Sequence, residues 1–195
     1  MKILLHICCA PCTIYPLRIL RGEGNEVCGL FYNPNIHPYL EYRRRLDTLT
    51  SYAGQEGLRI IGEETYPLDS FFRQVAFREE ERCRYCYQLR LSYVARIAKK
   101  GRFDAFTTTL LYSRHQKHDL ILEVAECVAG TQGIPFLYRD FREGWSEGVR
   151  VSKEAGMYQQ PYCGCIYSES ERYGRNPGKE AGGKPLRPRD RNLGR

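Results

Sequence analysis

Residues 2–20 read KILLHICCAPCTIYPLRIL. Ile3–Ile7 is a short apolar run broken only by His6, the pattern of a strand buried on both faces. Ile14, Leu17 and Leu20 then recur at helical spacing, with Pro16 near the first turn, where a missing N–H costs little. Between strand and helix lies Cys8-Cys9-Ala10-Pro11-Cys12. A strand, a tight loop and a helix make one βα unit, and its loop falls at the carboxyl end of the first strand, where open α/β sheets place their ligands. Free backbone N–H groups and the positive end of the helix dipole lower thiol pKa and stabilise anionic sulfur there. A nucleotide-binding version of such a turn carries a Gly/Ser-rich phosphate loop. Cysteines stand in its place, so ATP is not an expected ligand.

The same alternation continues downstream. Val27–Tyr32, Leu58–Ile61, Phe103–Thr109 and Ile134–Tyr138 read as further strands. Tyr42, Leu46, Leu49 and Ala53 share one helical face, Leu89, Tyr93 and Ile97 a second, and Leu120, Val124 and Val128 a third. This order predicts an α/β domain, an open parallel sheet flanked by helices, joined by right-handed crossovers. The strand-end loops are then Cys8–Cys12, Asn33–Pro38, Leu110–His118 and Asp140–Trp145. Residues 1–173 form the expected domain. Residues 174–195, rich in Gly, Pro and Arg, read as a flexible basic tail.

The net charge of +7 is uneven: residues 174–195 hold seven Lys/Arg and two Asp/Glu, +5, which leaves about +2 for the body. Nucleic-acid binding therefore needs a local patch or the tail and does not follow from bulk charge. No apolar run approaches the ~20 residues of a membrane span, and a cytoplasmic location is expected.

Nine cysteines stand at positions 8, 9, 12, 28, 83, 86, 127, 163 and 165, and seven of them fall in tight clusters. A count that is odd and clustered favours metal or redox chemistry over a disulfide framework. Cys83-Arg84-Tyr85-Cys86 presents two sulfurs from a helix start, and glycine in Cys163-Gly164-Cys165 lets the backbone turn closely around a ligand. Four thiolates hold one [4Fe–4S] cluster, and three remain for an open metal site or a redox dithiol. The division adopted here gives Cys8, Cys9, Cys83 and Cys86 to the cluster and Cys12, Cys163 and Cys165 to the second site. Exchange of Cys12 or Cys163 with Cys8 or Cys9 stays open. A structural zinc site uses four closed ligands and leaves none spare. Lone Cys28 and Cys127 are expected to pack in the core. His6 reads as a satisfied core histidine and Asp104 as structural.

HICCAPC at 6–12, FYNPNIHP at 31–38, ERCRYCYQLRL at 81–91, TTLLYSRHQKHDLI at 108–121, DFREGW at 140–145 and YCGCIYS at 162–168 occur in this order. Together they resemble the QueH family of epoxyqueuosine reductases, over residues 3 to 171. The resemblance implies an adenine-nucleotide α-hydrolase-like fold of the PP-loop (HUP) type. It implies reduction of the epoxide of epoxyqueuosine to queuosine at the wobble position of tRNA, the last step of that synthesis. It further implies a [4Fe–4S] cluster, an additional iron beside it, no cobalamin, and an external electron donor.

An epoxide leaves well only when its oxygen is protonated or metal-bound. Candidate proton donors in the strand-end loops are Tyr112, His115, Lys117, His118 and Asp140, with a solvated helix start as the plain alternative for Lys117 and His118. Cys163 and Cys165 can alternatively cycle as a dithiol. A base drawn from an RNA loop needs aromatic and polar partners: Tyr32, Tyr39, Tyr112 and Trp145 can stack, and Asn33 and Asn35 lie in a strand-end loop. Arg43, Arg44, Arg45, Arg114 and Arg142 are candidate phosphate contacts, although Arg43–Arg45 equally suit a solvated helix face. Competing readings are an ATP-dependent Fe–S enzyme acting on tRNA, an Fe–S redox sensor, and a zinc-stapled RNA-binding module.

Overall fold

The computed structural model describes residues 1–62, 66 and 68–174. Residues 175–195, nearly all of the expected tail, lie outside them. In chain order the elements are β1 (Lys2–His6), α1 (Ile14–Gly22), β2 (Glu26–Leu30), α2 (Tyr39–Gln55), β3 (Ile60–Ile61), α3 (Leu68–Val75), α4 (Arg82–Lys100), β4 (Ala105–Thr108), α5 (His118–Gln132), α6 (Trp145–Glu154) and α7 (Ile166–Tyr173). The sheet is parallel throughout, ordered β3-β2-β1-β4. In the middle of it Leu4 pairs with Cys28 on one side and Phe106 on the other. Ile3, Leu4 and Leu5 are fully buried, as a strand covered on both faces requires.

The fifth predicted strand is reduced to one parallel bridge between Phe106 and Phe136. Pro135 offers no N–H to extend the ladder, and Ile134 N–H is drawn back to Ala129 of α5. The short segment still lies beside β4, which gives the spatial order 3-2-1-4 followed by that bridge.

Helical periodicity located α4 but missed its buried stripe. Leu91, Val94, Ala95 and Ala98 are buried, whereas Leu89, Tyr93 and Ile97 flank them. On α5 the stripe Ile121, Val124, Ala125 and Val128 turns inward, so Cys127 is exposed, against the expected core role. Cys28 is buried in β2 as expected. His6 is buried between Thr108 Oγ1 (2.9 Å) and Tyr32 O (3.2 Å). Asp104 accepts from Lys2 N at 2.6 Å, at the far end of the sheet. No helix of the described residues is long and apolar enough to cross a membrane.

Candidate metal and redox centre

The loop after β1 wraps its three sulfurs inward. Cys8, Cys9 and Cys12 Sγ all lie within 4.8 Å of one another. Thr13 Oγ1 donates to Cys9 O (2.8 Å) and Thr109 Oγ1 accepts from Cys8 N (3.1 Å), which fixes the turn between β1 and β4. The expectation that all thiols here are acidified holds for one of them. Cys12 and Cys9 hydrogen-bond to Cys8 and hold its pKa well below the ordinary thiol value, Cys12 is pushed up by that same pairing, and burial pushes Cys9 up.

Cys83 and Cys86 open α4, and Cys163 and Cys165 stand just before α7. Cys86 and Cys165 pack together in a small cluster with Phe71 and Val75 of α3. Burial raises Cys86 to about 12, and its charged neighbours are Arg90 and the sulfurs of Cys163, Cys165 and Cys83. Cys163 is exposed as a residue, and the protein around its thiol still raises its pKa by displacing water. The sulfurs of Cys8, Cys9 and Cys12 form a triad, and Cys86 packs with Cys165. Cys12 stands beside Cys8 and Cys9 and lines the same cavity as Cys163.

The turn around Gly164 is held carbonyl by carbonyl. Arg45 on α2 donates to Tyr162 O (3.1 Å) and Cys163 O (3.0 Å), and His37 N donates to Gly164 O (2.7 Å). Arg45 is 2 % exposed and paired with Glu41 (2.7 Å), whose other oxygen accepts from Tyr158 OH (2.5 Å). Arg45 is thus an internal clamp and not a phosphate contact. Arg43 pairs with Asp47, and Arg44 lies over the Tyr158 ring at 3.8 Å.

A cavity of about 440 Å³ opens over Cys8, Cys12 and Cys163. Of the expected residues, Cys8, Cys12, Arg45, Tyr112, His115, Trp145 and Cys163 line it. Tyr112 OH donates to Trp145 O (3.1 Å), and the His115 ring meets Trp145 edge-on at 5.4 Å. Lys117, Asp140, Asn33, Asn35, Tyr39, Arg114 and Arg142 do not line it. Asp140 is gripped by Arg142 through both carboxylate oxygens, which lowers its pKa to about 2. Ionised at neutral pH, it has no proton to give, and Arg142 is not free for phosphate. Asn33 Nδ2 binds Ile7 O (2.8 Å), Asn35 is buried, and Tyr39 is exposed against Tyr66. His118 is buried against Tyr138 OH at 3.3 Å, and Tyr32 stacks on Tyr93.

A family model described as epoxyqueuosine reductase QueH matches residues 3–171. A protein named epoxyqueuosine reductase QueH from Dehalococcoides mccartyi is 37 % identical over 174 residues, 89 % of this chain and 96 % of the relative. The chain belongs to the QueH family. A relative of the same name from Thermotoga maritima is 34 % identical over 87 % of this chain and 91 % of its own length. A solved structure of a predicted subunit of tRNA methyltransferase from Methanocaldococcus jannaschii shares the fold. Its TM-score is 0.53 at 12 % identity, over 79 % of this chain and 76 % of that chain.

As a QueH family centre, the donor set fits thiolate-bound metal. The Cys8–Cys9 sulfur separation is 3.7 Å. Four sulfurs at ~2.3 Å around one ion stand about 3.8 Å apart. Three residues of this QueH centre, Gln160, Gln116 and Arg90, and the clamping role of Arg45 escaped the sequence reading. Gln160 donates to Cys9 Sγ (2.7 Å), Gln116 donates to Cys163 Sγ (3.1 Å), Arg90 donates to Cys86 Sγ (3.0 Å), and Arg45 clamps the turn. Only the C-Y-Q-L-R spacing from Cys86 to Arg90, one helical turn, carried a signal.

Proposed function

We propose that this chain reduces epoxyqueuosine in tRNA to queuosine, an overall consumption of two electrons and two protons with the epoxide oxygen leaving as water. The observation that carries this is the buried triad of Cys8, Cys9 and Cys12 at the wall of a cavity that Cys163 also lines, in a chain of the QueH family. Held by these thiolates, a [4Fe–4S] cluster would supply low-potential electrons and a further iron would supply Lewis acidity toward the epoxide. An external one-electron donor replenishes the centre. The chain's own residues do the rest. Trp145, His115 and Tyr112 receive the flipped base side chain, Tyr112 through its ring because its hydroxyl is already engaged. His115 lines the cavity and is the residue placed to pass a proton, whereas Asp140 is excluded by its ion pair.

Two ligand divisions compete. The division expected at the outset gives the cluster to Cys8, Cys9, Cys83 and Cys86, leaving Cys12, Cys163 and Cys165 for iron or a redox dithiol. The second division follows the contact between Cys86 and Cys165: a cluster on Cys83, Cys86, Cys163 and Cys165, with a single ion on the triad. The test is anaerobic purification, iron and sulfide assay, and incubation with epoxyqueuosine-containing tRNA and a strong reductant. Queuosine formation with more than ~4 iron per chain supports the two-site reductase; a colourless, zinc-bearing, inactive protein overturns it. Cys165→Ala separates the divisions. Turnover abolished with cluster absorbance retained supports the first division; absorbance lost with the turnover supports the second.

A further inference from the structure

Arg90, on the inner face of α4, is 1 % exposed. Its Nε donates to Cys86 O (3.3 Å) and its Nη2 to Cys86 Sγ (3.0 Å). Among the described residues no carboxylate lies within 4 Å of it. The groups its charge faces are Cys86, Cys163, Cys8 and Tyr87. Its guanidinium also lines the cavity, beside Cys8, Cys12 and Cys163. Arg45, the other buried guanidinium of that wall, is neutralised by Glu41. Burying an ion costs several kcal/mol unless an opposite charge offsets it. Arg90 bears that cost beside sulfur, a carbonyl and the Tyr87 ring, with no carboxylate against it among the described residues.

The geometry points to Arg90 as the fixed positive charge of the cavity, drawing anions to its wall and balancing negative charge on the thiolates. A buried charge in a low-dielectric cleft concentrates counter-ions far more than an exposed one. The first part stands without the reductase reading; the second rests on it. Arg90→Lys keeps the charge and loses the planar fork, while Arg90→Gln keeps an N–H and loses the charge.

The test on the metal-free protein is alkylation of Cys163, which is exposed, by anionic iodoacetate and neutral iodoacetamide. In both reagents sulfur displaces iodide, so the ratio of rates cancels the thiol's own reactivity. The same ratio at exposed Cys127 on α5 is the internal control. The ratio at Cys163 falls roughly tenfold in Arg90→Gln and is preserved in Arg90→Lys. On the iron-loaded protein, the midpoint potential moves to more negative values in Arg90→Gln and stays in place in Arg90→Lys. A Gln variant equal to wild type, or a Lys variant as impaired as Gln, overturns the proposal. Failure of both to fold overturns it too, by assigning Arg90 to the core. If the wild-type protein takes up no iron, the reductase reading fails and the alkylation arm still decides the charge.

Discussion

Gly164 sits at φ +135°, a region that L side chains rarely adopt, and a Cβ there would meet Ile36 at 3.1 Å and Arg45 Nη1 at 3.2 Å. The residue between Cys163 and Cys165 is glycine because both the backbone and the clamp demand it. Gly164→Ala is expected to destabilise by about 1–3 kcal/mol and to lower iron per chain, read by urea unfolding and iron assay. Arg45 offers a second measurement. Arg45→Met strands Glu41 in the interior and is expected to cost about 3–5 kcal/mol. Arg45→Met combined with Glu41→Gln removes the stranded charge and recovers part of it, in the same urea assay. The spacing of Cys163 and Cys165 could be read from the chain, but the guanidinium that holds their turn could not. Arg45 stands 118 residues from Cys163 in sequence, inside an Arg-Arg-Arg run that reads equally well as a solvated face.

His37 ties the second strand-end loop to α3. Its ring stacks on Phe72 and meets Phe71 at 5.1 Å, both ring nitrogens lack partners among the described residues, and burial lowers its pKa to about 4. The unfolded chain, with an ordinary histidine near ~6.5, therefore binds more protons than the native state between these values. Stability falls as pH drops through that window. This single group accounts for about 2 kcal/mol lost between pH ~7 and ~5. His37→Phe should keep the packing and remove that loss, as measured by urea unfolding at the two pH values; an unchanged acid sensitivity would refute the assignment. His6, pushed down to about 3 by burial, adds loss in the same direction in both proteins. The elements themselves follow from sequence wherever periodicity is long. Ile134–Tyr138 fell short of a strand because Pro135 gives the ladder no donor, a local reason that was visible in the residues.

Across the molecule, the centre is assembled from the β1 loop, the start of α4 and the segment before α7, all at the carboxyl end of the sheet. Many exposed arginines are occupied by acidic neighbours, as in Arg18–Glu147, Arg84–Glu123, Arg139–Glu23 and Arg150–Glu154. Phosphate attraction then falls to unpaired cations and to the +5 carried by residues 174–195. Removing residues 175–195 should weaken binding of tRNA and flatten its dependence on salt, because fewer counter-ions are released. Titrations at two salt concentrations read both effects, and an unaltered slope would remove the tail from the interface.

By itself the sequence determined the βα alternation, the parallel sheet and the family, because burial on both faces of a strand and ordered motifs are written in local residue types. It also singled out the seven clustered cysteines. Which sulfurs stand together was decided by the tertiary structure: the loop between β1 and α1 closes Cys8, Cys9 and Cys12 on one another, and packing against α3 brings Cys86 to Cys165. The tertiary structure also turned two arginines inward. An arginine is stable inside only where distant carbonyls, a carboxylate or sulfur meet its fork, and those partners come together only on folding.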